Sequence, residues 1–122
     1  MTVTDPQAAR PGTRAVWVVR PTGDIDADSA PPLARTLRTA AARRPAATVV
    51  DLSATAFADS CVLHLLLDAQ HAHRAHGAAL VVAGPFPRAV ARLFETTDAA
   101  ALLTLADSAG DALRTLRTAP RN

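Results

Sequence analysis

Residues 59–64 read Asp-Ser-Cys-Val-Leu-His, and four of the six carry side chains that can do chemistry. A thiol at a helix amino terminus is favoured as thiolate by the helix dipole, and His64, three residues on, would share its face as a general base. On that reading Cys61 is the centre of a thiol-based redox sensor or a small cysteine-dependent enzyme. The phosphatase spacing, Cys followed six residues later by Arg, is not met, because residue 67 is Leu. Asp59 and Ser60 have a plainer use as helix caps, where a side-chain oxygen accepts from unpaired backbone N–H groups and contributes on the order of 1 kcal/mol.

The remaining candidates are weaker. His64, Asp68 and His71 recur at i, i+4, i+7, so they would lie along one helix face within reach of a shared metal ion. No known zinc-helix motif surrounds them, a solvated polar face accounts for them, and no metal ligand is assigned. His73 and His76 point toward the buried side near the helix end. Asp24 and Asp26 stand two apart on an extended piece, with no cleft to make them a catalytic pair. Arg88 and Arg92, one turn apart, read as a solvated face before a partner patch.

Composition removes whole reaction classes. All 13 basic residues are Arg, and without Lys the chain has neither the phosphate-binding Lys of a P-loop, nor a Schiff-base Lys, nor the Lys of a response-regulator receiver. No Gly-rich dinucleotide loop is present, and no cofactor is expected. The net charge of +2 is spread along the chain with one adjacent pair, Arg43 and Arg44, so no basic stripe for nucleic acid is evident. The lone Cys61 has no internal disulfide partner, the amino terminus has no apolar signal core, and no run of about 18 apolar residues occurs. These features describe a cytoplasmic protein that needs neither membrane nor nucleic acid.

The elements that must position residues 59–64 follow from hydrophobic periodicity. The sequence predicts a strand over 15–20, a turn at Pro21-Thr22-Gly23 and a short extended piece over 24–27. A helix from Ala30 to about Arg44 is started by Pro31 and Pro32 and stopped by Pro45. A strand over 47–53, a helix from about Cys61 to His76 closed by Gly77, and a strand over 79–84 come next. A helix over 87–96, a strand over 101–106 and a helix over 108–117 complete the chain. Val62, Leu63, Leu66 and Ala69 form the core face of the second helix, opposite Cys61, His64, Asp68 and His71. Such alternation implies an α/β fold with a central, mostly parallel sheet and crossover helices packed against it. One domain over 14–118 is expected, with flexible tails at 1–13 and 119–122.

Three motifs carry a resemblance to the STAS domain family of sulfate transporters and anti-sigma factor antagonists. They are Gly23-Asp24-Ile25-Asp26, Val50-Asp51-Leu52 and Asp59-Ser60-Cys61-Val62-Leu63, and the likeness runs over residues 15–117. It implies a stand-alone bacterial domain of the antagonist branch, without catalytic activity, regulating sigma factor availability. The implied partner is an anti-sigma factor that is a serine-protein kinase of the ATP-binding GHKL type. The implied contact residues are Asp24, Asp26, Asp59, Ser60, Cys61 and His64. The family usually has Asp-Ser-Ser-Gly-Leu or a Thr variant at the third motif and carries phosphate on the second hydroxyl. Here that position is Cys61 and the following Gly is Val62, which leaves Ser60 as the nearest possible phosphorylation site. In the resemblance, phosphate adds roughly 1.5 to 2 negative charges and disfavours docking.

Overall fold

A computed structural model describes residues 1–4 and 15–118. The runs richest in Val form the interior of the sheet: β2 (Val16–Arg20), β4 (Ala47–Asp51) and β6 (Ala79–Ala83). They pair in parallel with Val18, Val49 and Val81 in one row and Val19, Val50 and Val82 in the next. Side chains alternate between the two sides of a strand, so each row serves a different core. Val19, Val50 and Val82, all fully buried, pack with Leu33, Leu37, Leu63 and Leu66, whereas Val49 and Val81 pack with Ala112 and Leu113. Both faces are covered, which is why these strands read as continuous apolar runs.

The edges are shorter. β1 (Thr2–Thr4) runs antiparallel beside β2, and β7 (Thr104–Ala106) closes the far side, giving the order β1-β2-β4-β6-β7. The sheet is mostly parallel, as the alternation requires. Helix α1 (Ala30–Ala42) connects β2 with β4, α2 (Ser60–Ala75) connects β4 with β6, and α3 (Arg88–Glu95) and α4 (Ala99–Leu102) precede β7. The last helix, α5 (Ala109–Thr118), lies against the other face over β4, β6 and β7.

Four local expectations need correction. The expected amino-terminal tail opens with β1, whose backbone is paired with Val18, Val19 and Arg20; residues 5–14 and the expected tail over 119–122 lie outside the described residues. The first helix ends at Ala42, short of Arg44, because Arg44 takes a left-handed conformation with φ 50° and turns the chain toward Pro45. Residues 99–102, partly read as strand, form the single helical turn α4. Residues 55–58, read as connection, form β5 (Thr55–Ala58), which pairs in parallel with β3 (Gly23–Ile25) as a separate two-stranded sheet. Gly77 ends α2 as expected: its φ of 72° lets the Ala78 N–H return to the His73 carbonyl at 2.8 Å.

Candidate functional site

The small β3–β5 sheet delivers the chain to the start of α2. Gly23 enters it with φ 77°, which L-residues adopt only with strain. Ile25 and Ala58 then pair, both turned into the core, and the Ile25 carbonyl accepts from the Asp59 N–H at 3.0 Å. That bond fixes where α2 begins. Asp59 is extended (φ −83°, ψ 163°), and its Oδ1 accepts from the Cys61 N–H at 2.9 Å, so the helix is capped by its own sequence. Ser60 is exposed, with its Oγ 3.4 Å from Asp59 Oδ1.

Asp26 performs a matching task in the loop before α1. Its Oδ1 accepts from the backbone N–H groups of Asp28 and Ser29, each at 3.0 Å, and from the Ser29 hydroxyl at 3.1 Å. These bonds to Ser29 and Asp28 hold its carboxyl below the usual range. Asp26 and Asp59 are thus committed to shaping two adjacent chain reversals. Asp24 differs: it is exposed, and among the described residues no hydrogen bond or ion pair engages its carboxylate.

Cys61 is half-buried. A helix amino end alone would favour the thiolate, but here burial, and after it the negative charge of Asp59, push the thiol above its ordinary value. Asp26 adds a smaller push in the same direction. The larger effects oppose ionisation, so the geometry makes a neutral thiol. Alkylation by iodoacetamide, followed against pH, is therefore expected to show a midpoint above that of a free cysteine peptide. A midpoint below it would restore the activated-nucleophile reading.

Of the six sequence-derived contact residues, Asp24 and Asp26 lie on and just after β3, and Asp59, Ser60, Cys61 and His64 start α2. The Ile25–Asp59 bond holds the two groups side by side. His64 is exposed and, with Cys61, borders a groove of about 470 Å³ between α1 and α2, with Leu37, Arg38, Leu65 and Asp68 among its walls. Asp68 and His71 are exposed along α2, and among the described residues no three acidic, His or Cys groups converge to hold a metal. Arg88 and Arg92 are exposed on α3. Among the described residues no helix is long and apolar enough to cross a membrane.

Sequence reasoning missed Phe57. It stands two residues before Asp59 and opposite Asp24 in the β3–β5 ladder, with 47% of its surface open to solvent. Its type gave no warning, because Phe in an apolar stretch ordinarily points inward.

Comparison with known proteins agrees with this architecture. The family model described as Mlab, STAS domain, matches residues 9–114. A crystal structure of an anti-sigma factor antagonist from Mycobacterium paratuberculosis superposes with a TM-score of 0.79 at 28% identity, covering 95% of this chain and 92% of that one. The anti-sigma factor antagonist SpoIIAA in its unphosphorylated form shares the fold with a TM-score of 0.73 at 17% identity, covering 92% of this chain and 96% of its own. No curated protein sequence matches the chain. With a family match over most of its length, on a mostly parallel sheet that presents a capped helix start, the chain belongs to the STAS domain family.

Proposed function

We propose that this protein is an anti-sigma factor antagonist that works by docking and carries out no catalysis of its own. The partner is an anti-sigma factor of the ATP-binding serine-kinase type, and its capture frees a sigma factor. The surface is the edge formed by Asp24 and Asp26 with Asp59, Ser60, Cys61 and His64. The observation that carries this reading is the placement of the α2 amino end: Ser60 and His64 are exposed while Val62, Leu63 and Leu66 beneath them are buried. The same helix start is therefore packed against the core on its inner side and open to another molecule on its outer side. The likeness to the Mycobacterium paratuberculosis antagonist supports the reading. The raised thiol of Cys61 speaks against the alternative of a thiol enzyme or redox sensor, which needs the thiolate.

In this reading Cys61 stands where relatives carry the acceptor hydroxyl, and docking proceeds without a phosphate switch at that position. The test is to mix the purified chain with each anti-sigma factor kinase of the source organism, isolate complexes, add ATP and map phosphate by mass spectrometry. A stable complex is expected, with no phosphate on residue 61 and with phosphate gained by Cys61→Ser. Failure of every kinase to bind overturns the assignment. Phosphate on Ser60 of the native chain would show that the switch had moved by one residue.

A further inference from the structure

Interface anchors are commonly aromatic side chains that a partner pocket covers, and Phe57, 47% exposed, lies on the proposed docking edge itself. In the β3–β5 ladder the register shifts between Gly23 and Asp24, so that Asp24 pairs with Phe57 and Ile25 with Ala58. Ile25 and Ala58 are each 4% exposed and form the inner step; Asp24 and Phe57 form the outer one. The ladder thus holds an aromatic ring and a carboxylate side by side on a backbone anchored to the core. A residue presented this way loses little freedom on binding, which is the condition for concentrated affinity. Asp26 and Asp59 each engage Oδ1 on their own loops, whereas no hydrogen bond or ion pair among the described residues engages the Asp24 carboxylate, which leaves it open to a cation on a partner.

We propose that Phe57 is the apolar anchor of the docking edge and enters an apolar pocket on the anti-sigma factor whose rim carries an arginine or lysine facing Asp24. The inference rests on the antagonist reading above and adds to it the chemistry of the partner's surface. An aromatic anchor beside a charge pair divides the labour: the ring supplies most of the lifetime of the complex, and the carboxylate supplies orientation and salt dependence.

The experiment is isothermal titration of the full chain and its variants into each purified anti-sigma factor kinase of the source organism, at several sodium chloride concentrations. Phe57→Ala is expected to weaken binding by about 30-fold or more, and Phe57→Leu by less than about tenfold. Asp24→Asn is expected to weaken binding less and to flatten its salt dependence. Because Phe57 is half exposed, the melting temperature and circular dichroism of Phe57→Ala should match the parent, which separates lost docking from lost folding. Parent-like binding by Phe57→Ala, in a chain that does bind a kinase, overturns the anchor and leaves the antagonist reading standing. An unchanged salt dependence in Asp24→Asn overturns the basic rim. No binding by the parent chain to any kinase overturns the reading and the anchor together.

Discussion

The His73→Ala variant is expected to lose about 3 kcal/mol or more of stability, because the side chain it removes is fully buried and fully bonded. Its Nδ1 lies 2.7 Å from the Ala69 carbonyl, which only accepts, so Nδ1 carries the proton and donates. Nε2 is then the acceptor for the Thr48 hydroxyl, also at 2.7 Å and also buried. One imidazole therefore closes a turn of α2 and fastens that helix to β4 in the middle of the sheet. Truncation leaves a cavity and strands the Thr48 hydroxyl. A fall in melting temperature of about 10 °C by differential scanning calorimetry is the expected reading. Thr48→Val keeps the volume but orphans Nε2, and should cost about 1–3 kcal/mol.

The same pair ties stability to pH. Burial, with a smaller contribution from the charge of His76, holds His73 below the ordinary imidazole value of 6.5, and the bond to Ala69 only partly offsets this. The unfolded chain therefore takes up a proton that the folded chain resists. This contribution to stability is fully present above about pH 6.5 and is lost as pH falls from there toward the folded-state value. Asp26, whose carboxyl is lowered by its bonds to Ser29, acts in a separate window below its ordinary 3.8. A parent whose unfolding free energy is flat between pH 7 and pH 5.5 while His73→Ala behaves identically would refute the neutral buried imidazole.

The second large effect falls on binding and leaves folding alone. Ser60→Asp puts a carboxylate in the first turn of α2, next to Asp59, where the helix dipole tolerates it and contributes about 0.3–1 kcal/mol to stability. The variant should therefore fold at least as well as the parent. At the docking edge the new charge has no cation provided for it and must be desolvated when the partner closes over the helix start. Binding to the anti-sigma factor is expected to weaken by tenfold or more, mostly through faster dissociation, as surface plasmon resonance would show. Unchanged or tighter binding by this variant would move the contact surface away from Ser60.

Much of this architecture was legible because the informative residues are local. The valines of β2, β4 and β6 and the leucine spacing of α2 report burial directly. Asp59 before an apolar helix announces its cap, and Gly77 announces the end. The pieces that escaped notice depend on distant partners. Thr55–Ala58 becomes a strand only because residues 23–25 lie beside it, more than 30 positions away in sequence. Thr2–Thr4 buries no side chain that could betray it, and it is held by backbone pairing to the edge of β2. Leu102 and Leu103 look like strand, yet a helical turn at Ala99–Leu102 delays β7 by three residues and exposes Leu102. For the site, the sequence located Asp59 through His64 correctly on the helix start. It had no means of showing that Phe57 faces outward, or that Asp26 and Asp59 are occupied with their own backbone.

The β3–β5 ribbon shares no ladder with the five central strands; it is tied to them by the buried side chains of Ile25 and Ala58 and by the Thr55 hydroxyl on the Pro21 carbonyl. Its inner step, Ile25 and Ala58, is buried in the same core cluster as Val19, Val50 and Val82, so the ladder is fixed from below while its outer step stays open. The identity of the outer residues is thereby uncoupled from survival of the core. The protein has room to vary whom it meets without renegotiating how it folds.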